Sequence, residues 1–531
     1  MYSTCTLFSV HVHVHYMHTP KIRVTSKSCR LNMADQGSAS LLNLQSAAIF
    51  LLIFVVVFKL FRRPKNLPPG PWRWPFLGNF VALTRSGKHP HEVLAEWARR
   101  YGGVMSVGVP PSSRSAVIVV SDLDIAKELQ LKQGDHPIDR ATLPLMDTIS
   151  DTRGSFVWSK GETAKEVRRF GLGAFRKMGV GKKSLEHRIN EEARYLVERI
   201  EAEKNRPFDP SHPIHKAVSN IICSINFGSR FDYDDPKFKK LLGSLQVVFE
   251  STGVTSLGNL CPLLYYTPLF AKLRECTKFN RESITAIVQE HQDSFDENDF
   301  RDITDMRIAD IREKERTGPA PTITHQHIWR GILDLFGAGT DTTSNTLLWL
   351  ISFMLKYPEV QDKIQQEINE VVGSDRQPSC GDRPSMPYTN AVINEVQRLR
   401  TVAPFALPYV TTQELQLQGY TIPKGSGVII NLWAMMNDPK VWDRPEEFNP
   451  GRFLSKDGKT MIQHEAFIPF SQGRRSCLGE GLAKMELFLF ATNLFQWFTF
   501  MLPPGAPTPA LKGISHFTFV PEPFRVCAVK R

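Results

Sequence analysis

One cysteine of this chain lies in a setting where its sulfur can act as a metal ligand. In the run 470–479, FSQGRRSCLG, the residues Phe470, Gly473, Arg475, Cys477 and Gly479 surround that thiol at short, fixed spacings. A thiolate ligand to iron needs its charge stabilised by backbone N–H groups, and glycines on both sides let the backbone curl around the sulfur. Phe470 can shield it from water. Arg475, two residues before the cysteine, can pair with an anionic group on a bound cofactor. The competing reading is a structural cysteine buried in a Gly/Arg turn.

Three other constellations lie upstream. The run 338–343, AGTDTT, falls inside an apolar stretch, 332–355, that otherwise reads as a buried helix. Glycines and hydroxyls there weaken the helix and predict an opening in its hydrogen-bond ladder. On that helix Asp334, Ala338 and Asp341 are spaced i, i+4, i+7 and share one face. Glu395 and Arg398 form an i, i+3 carboxylate–guanidinium pair, a spacing common on ordinary helix surfaces. Arg452, in FNPGRF at 448–453, supplies a third charge. Taken singly, a Thr-rich helix interface and a surface ion pair account for these runs equally well.

In this order along the chain, the four motifs resemble those of the cytochrome P450 superfamily. LPPGP at 67–71 followed by WPFLGN at 74–79 resembles the proline-rich hinge of its microsomal animal branch, which metabolises drugs, xenobiotics and steroids. The resemblance runs from residue 67 to the C-terminus. It implies a haem-thiolate monooxygenase in which Cys477 is the axial ligand of haem b, and thiolate ligation favours O–O cleavage. Thr342 would hydrogen-bond dioxygen or a water beside it, and Asp341 would relay protons. Arg168, Tyr409, Phe470, Arg475 and Gly479 would hold the cofactor. Glu395, Arg398 and Arg452 would form the structural Glu-Arg-Arg triad.

The run 334–339, DLFGAG, resembles members that oxidise aryl hydrocarbons, so Asp334, Gly337, Ala338 and Phe156 are expected to line a substrate pocket. Asp334 either anchors substrate or caps a backbone group. Two departures stand out. Relatives usually carry Trp four residues before the arginine at 168, where this chain has Ala164. Relatives often carry His or Arg at the position of Tyr409. Trp158 lies too far upstream to be an obvious replacement. The implied partners are NADPH–cytochrome P450 reductase, cytochrome b5, a small hydrophobic substrate (steroid, lipid or aromatic) and a membrane, with no nucleic acid. The competing functions are a reductase-independent haem-thiolate isomerase or dehydratase, and a non-enzymatic haem-binding protein. An intact 338–343 argues against the isomerase, which needs no oxygen-activating threonine.

The elements must deliver these residues to one place. Alternating apolar runs at 104–109 and 116–120 predict paired strands, and 415–422 with 428–432 predict a hairpin around PKGSG. From 123 to 372 the pattern is helical, and Pro358 with the acids after it opens one helix. The expected architecture is mainly α with a minor β lobe. Eight cysteines without paired spacing imply no disulfide framework. A net charge of +11, concentrated in Lys160, Lys165, Arg169, Arg176, Lys177, Arg474 and Lys484, suits an acidic flavoprotein partner. No glycine fingerprint for a nicotinamide or flavin cofactor appears, so electrons must come from outside.

The N-terminal part divides into an expected leader at 1–32, a membrane anchor at 41–61 and a proline-rich hinge at 64–75, ahead of a catalytic domain at 76–531. Ten of the twelve residues at 47–58 are Leu, Ile, Phe or Val, an insertion gain of roughly 3–6 kcal/mol. Arg62, Arg63 and Lys65 follow at once and predict an uncleaved anchor with its C-terminal side in the cytosol, at the endoplasmic reticulum. Residues 1–32 contain no Asp or Glu, and their four Lys and Arg compete with that orientation. Translation from Met33 would restore the asymmetry; a mitochondrial presequence is the alternative.

Overall fold

A helix that is apolar all round must be covered on every side. The helix Ile328–Lys356 meets that condition, with Leu347, Trp349, Phe353 and Met354 all buried. The computed structural model describes residues 45–55, 66–74, 77–108, 116–132, 138–141, 143–149, 151–318 and 322–531. The chain divides into two units, Met1–Leu60 and Phe61–Arg531. In the first, 45–55 is a helix with exposed apolar side chains. Among the described residues no helix is long and apolar enough to cross a membrane. The expected span at 41–61 is thus described only over 45–55, and the expected leader at 1–32 lies outside the described residues.

The second unit is mainly helical, with small sheets. Its helices of twelve or more residues are α1 (Pro90–Tyr101), α2 (Gly161–Lys177), α3 (Lys183–Glu201), α4 (Ser211–Asn226), α5 (Pro236–Ser251), α6 (Ala271–Asp293), α7 (Ile303–Thr317), α8 (Ile328–Lys356), α9 (Pro358–Val371), α10 (Pro387–Leu399) and α11 (Glu480–Trp497). Local chemistry sets several starts. The Asp235 carboxylate accepts from the Lys237 N–H (2.7 Å) to cap α5, and Pro358 opens α9 with Glu359 in its first turn, as expected. Gly339 lets α8 cross α4 closely, since a Cβ there would lie 2.5 Å from Ile222 Cδ1. Ser219 and Thr340 hydroxyls meet across the same crossing (3.1 Å).

The strands are β1 (Val104–Gly108), β2 (Ala116–Val120), β3 (Ile138–Arg140), β4 (Tyr409–Thr411), β5 (Leu415–Leu417), β6 (Tyr420–Ile422), β7 (Gly427–Ile430), β8 (Phe498–Met501), β9 (Gly513–Ser515), β10 (Phe519–Pro521) and β11 (Cys527–Lys530). Five form one sheet in the order β1-β2-β7-β4-β3. The predicted β1–β2 pair is antiparallel, with Val104 opposite Val120. The predicted hairpin is corrected. It closes earlier, between β5 and β6, where Gln418 and Gly419 both take positive φ (52° and 76°) and match the twist of a tight turn. β7 instead lies between β2 and β4, which buries Val428 and Ile430 in the five-stranded sheet.

A charged cluster joins α10 to the segment before the cysteine loop. Arg398 donates to the two Glu395 oxygens through Nε (2.7 Å) and Nη2 (2.9 Å). Arg452 Nε (3.2 Å) and the Asn449 N–H (2.9 Å) converge on Glu395 Oε1. Arg398 also donates to the carbonyls of Met436 and Pro445. Both Glu395 and Arg398 are fully buried, so neither charge can recover water if its partner is lost. Glu395→Ala is therefore expected to destabilise the protein by about 3–5 kcal/mol. An unchanged melting temperature and unchanged solubility in that variant would remove the cluster from its structural role.

Candidate active site

Burying a thiol beside an apolar cavity pushes its pKa up, so a thiolate there needs donors built into the loop. The structure supplies them at Cys477. Its own N–H donates to the Phe470 carbonyl (2.9 Å), which closes the loop on itself. Desolvation raises the Cys477 pKa, while the backbone N–H groups of Gly479 and Glu480 and the nearby Arg168 charge oppose it. α11 begins at Glu480, so those two N–H groups belong to a helix N-terminus. Gly473 takes φ +76°, and a Cβ there would lie 2.7 Å from the Gln130 carbonyl oxygen. That position tolerates glycine only.

The sulfur faces a cavity of about 650 Å³ that is walled on one side by the loop and on another by α8. Phe156, Asp334, Gly337, Ala338, Thr342, Tyr409, Phe470, Arg475, Cys477 and Gly479 all line it. Ala338 is exposed to that space, beside the Thr342 hydroxyl. α8 is continuous through 338–343. The expected opening in its ladder is absent: three hydroxyls bond back along the same helix, while Thr343 Oγ1 reaches out to Glu486 (3.0 Å). Thr342 Oγ1 donates to Ala338 O (3.0 Å), Ser344 Oγ to Thr340 O (2.7 Å) and Thr346 Oγ1 to Thr342 O (2.8 Å).

Asp334 and Ala338 share the cavity face, but Asp341 does not line the cavity. Its carboxylate instead accepts from Thr518 Oγ1 (2.6 Å) and Asn345 Nδ2 (3.0 Å), and burial pushes its pKa up. Thr518 does line the cavity, so Asp341 stands one hydroxyl away from it. Asp334 accepts from Arg330 Nη2 (2.5 Å), the Ser155 hydroxyl and the Val157 N–H (3.3 Å). Its capping role therefore has an observed partner.

One edge of the cavity is strongly cationic. Arg168 donates to Ser476 O (2.8 Å) and Ser476 Oγ (3.1 Å), tying α2 to the cysteine loop. Arg475 Nη2 pairs with Asp139 (2.7 Å) and donates to Ser159 O (3.1 Å). Sequence reasoning missed Arg140. It stands opposite Tyr409 in the β3–β4 register and lies 4.8 Å over that ring. Its Nη1 donates to Leu407 O (2.8 Å), yet its buried Nε has no partner. Burial and then the Arg475 charge hold both Arg140 and Arg168 below the usual guanidinium range.

Three guanidinium groups, one adjacent carboxylate and an orphaned N–H suit a flat cofactor that brings carboxylates of its own. With the thiol facing an apolar cavity, this donor set fits haem. Only strand pairing reveals Arg140, because no sequence spacing links it to Cys477. Ala164 is buried on α2, and Trp158 lines the cavity in a T-shaped contact with the Phe517 ring (6.3 Å). Arg140→Ala is expected to leave the sheet intact and lower haem retention on dialysis, read as the ratio of haem absorbance to protein. Unchanged retention would clear Arg140 of that role.

Glu486, nine residues after Cys477, was also missed; its signal is a lone carboxylate in the otherwise apolar middle of α11. It is buried, accepts from Thr343 Oγ1 (3.0 Å) and leaves Oε1 without a partner. Burial pushes its pKa up from 4.5 to about 8. A raised carboxyl pKa gives stability that is present below pH 4.5 and lost as pH rises through 8. The melting temperature of the protein is expected to fall over that window, and Glu486→Gln to fall less. Parallel curves for the two proteins would refute the assignment.

Comparison with known proteins agrees with this geometry. The family model described as Cytochrome P450 matches residues 68–528. Cytochrome P450 2U1 of Homo sapiens is 38% identical over 497 residues, 88% of this chain and 90% of its own length. Cytochrome P450 2J3 of Rattus norvegicus is 40% identical over 487 residues, covering 90% and 94% respectively. Cytochrome P450 2J2 of Homo sapiens is 40% identical over 476 residues, covering 88% and 92%. A thiol loop, a threonine-bearing helix across the cavity and a match over residues 68–528 converge: the chain belongs to the cytochrome P450 family, as a monooxygenase that uses haem b.

Proposed function

We propose that the protein inserts one atom of dioxygen into a small hydrophobic substrate, with electrons from an NADPH-dependent reductase. The balance is RH + O₂ + 2 e⁻ + 2 H⁺ → ROH + H₂O. The observation that carries the reading is that Cys477 and Thr342 face one cavity from different walls. Haem, when bound, supplies the iron on which dioxygen is activated. The protein supplies the rest. Cys477 would ligate the iron, with the Gly479 and Glu480 N–H groups tempering its charge. Arg140, Arg168, Arg475 and Tyr409 would hold the cofactor carboxylates, and Phe470 would shield the sulfur.

Thr342 Oγ1 already donates to Ala338 O, which leaves its lone pairs to accept from, and so orient, a water that enters the cavity. Thr518 and Asp341 give a second proton route, from a carboxylate whose raised pKa suits proton exchange. Phe156, Gly337 and Ala338 shape the space for substrate beside them. Glu395, Arg398 and Arg452 hold the segment that precedes the cysteine loop.

The exposed cations Arg169, Arg176 and Lys177 on α2, with Arg474 on the loop, support docking of an acidic reductase and of cytochrome b5. The apolar helix at 45–55 supports a single-pass anchor in the endoplasmic reticulum membrane, with the catalytic domain in the cytosol. Exposed Leu263, Tyr266 and Leu269 give the catalytic domain apolar surface of its own, in keeping with membrane contact. Thr342→Ala is expected to retain haem and consume NADPH, but to divert reducing equivalents to peroxide and lower product per NADPH by roughly 10²–10⁴-fold. Unchanged product yield would take Thr342 out of the mechanism.

A further inference from the structure

α4 ends on an amide that no described residue completes. Asn226 is its last residue and is fully buried. Its backbone carbonyl accepts from Thr304 Oγ1 (2.7 Å), which ties it to α7. Its side chain has no such tie, and neither Oδ1 nor Nδ2 has a partner among the described residues. Burying an amide with both ends unpaired is costly, and folded proteins do so rarely. Asn226 lines the cavity, so that space is where a partner can arrive.

A second amide lines the same cavity from α6. Asn280 is buried, and the Ser244 hydroxyl of α5, which also reaches Leu241 O (2.8 Å), bonds its Oδ1. The other end of that amide, Nδ2, has no partner among the described residues. Thr252 and Thr277 line the cavity too, but their hydroxyls bond back within or beside their own helices, to Val248 O (2.7 Å) and Arg274 O (3.0 Å).

Both amides approach one stretch of α8. Phe227, which follows Asn226, has its ring centre 6.3 Å from that of Phe336. A Cβ on Gly337, the next residue, would lie 3.7 Å from Leu245, which follows Ser244. Gly337 itself lines the cavity, and five residues at about 1.5 Å rise put it about 7.5 Å along the helix from Thr342. The amides therefore stand to one side of the Thr342 end, within reach of a molecule that also extends to it.

We infer that Asn226 and Asn280 form a polar subsite for a neutral substrate group that both donates and accepts a hydrogen bond, a carboxamide or a hydroxyl. The inference rests on the monooxygenase reading and adds to it the part of the substrate that is held rather than oxidised. An Asn side chain pairs a carbonyl acceptor with N–H donors and carries no charge. An ion entering there would meet no countercharge from either residue and would lose its water uncompensated. An ester would accept from the N–H groups but leave Asn226 Oδ1 bare. A buried protein group left unpaired in this way is what makes such discrimination steep.

Three neutral compounds on one skeleton test the subsite: 4-butylbenzamide, 4-butylbenzyl alcohol and methyl 4-butylbenzoate. Each is titrated calorimetrically into the haem-loaded protein. The amide and the alcohol are expected to bind about tenfold more tightly than the ester. Asn226→Leu keeps the branched shape and removes both polar atoms, so it should bring the amide and the alcohol down to the affinity of the ester. Its melting temperature should hold or rise, because an unpaired amide leaves the interior. Asn280→Leu should narrow the preference and, through loss of the Ser244 bond, lower the melting temperature. A preference for amide over alcohol, or the reverse, supports the subsite and identifies the group it takes. Equal binding of all three compounds marks a niche that holds water alone and overturns the subsite. A preference that survives both substitutions overturns it as well. So does a melting temperature that falls in Asn226→Leu, which would show the amide to be paired inside the protein. In a reductase-coupled reaction 4-butylbenzamide should be oxidised with its carboxamide intact. Selective binding without any oxidised product leaves the subsite standing and removes the monooxygenase reading.

Discussion

Everything in this molecule depends on holding one sulfur at the boundary between an apolar cavity and a set of backbone N–H groups. Desolvation works against a charge at Cys477, and the opposing donors are positional: two N–H groups at the start of α11 and a guanidinium from α2. Neither can drift without loss. The loop is fixed by its own 2.9 Å hydrogen bond from the Cys477 N–H to Phe470 O, by Gly473 against Gln130, and by Arg168 gripping Ser476. Three distant parts of the chain therefore meet at ten residues, and the fold is the scaffold that makes them meet.

The buried triad follows from the same requirement. The segment 437–479 carries few regular elements, with short 3₁₀ turns at Pro450–Phe453 and Gly473–Arg475. A long irregular segment lacks the ladder bonds that would fix it. Glu395 and Arg398 replace them by bonding the carbonyls of Met436 and Pro445 and the N–H of Asn449. A buried ion pair of this kind gives little net stability over apolar packing. Its use here is to satisfy backbone groups that no helix or strand satisfies, which fixes the path of the chain into the cysteine loop.

How much of this could be read beforehand depended on whether the signal was local. The cysteine loop, the 338–343 run and the mainly α architecture were legible because their residues are neighbours in sequence. The β1–β2 pair was legible for the same reason. Arg140 was not, since its meeting with Tyr409 spans some 270 residues and needs the β3–β4 register. The hairpin was misplaced because PKGSG looks like a turn, while the preceding Gln418–Gly419 turn is shorter and better matched to strand twist. The continuity of α8 was misjudged because hydroxyls can either open a helix or bond back within it. Periodicity counts them the same way, and only the fold decides which acceptor each one takes. Asp341 was placed on the cavity face by spacing alone, but Thr518, 177 residues away, draws its carboxylate aside.

That displacement of Asp341 has a physical logic. A carboxylate opening directly on an apolar cavity would be desolvated without compensation, at a cost of several kcal/mol. Placed behind Thr518, it keeps two hydrogen bonds and still communicates with the cavity through a hydroxyl that can pass a proton in either direction. Asp334 follows the same rule, with Arg330, Ser155 and the Val157 N–H around it. Glu486 is the exception, with one oxygen unpartnered, and its pKa rises accordingly. The acids at this cavity are thus neutralised, screened or protonated, whereas Arg140 keeps a buried Nε without a partner. A space whose negative charges are so consistently subdued suits a cofactor that brings carboxylates of its own to the Arg140–Arg475 edge.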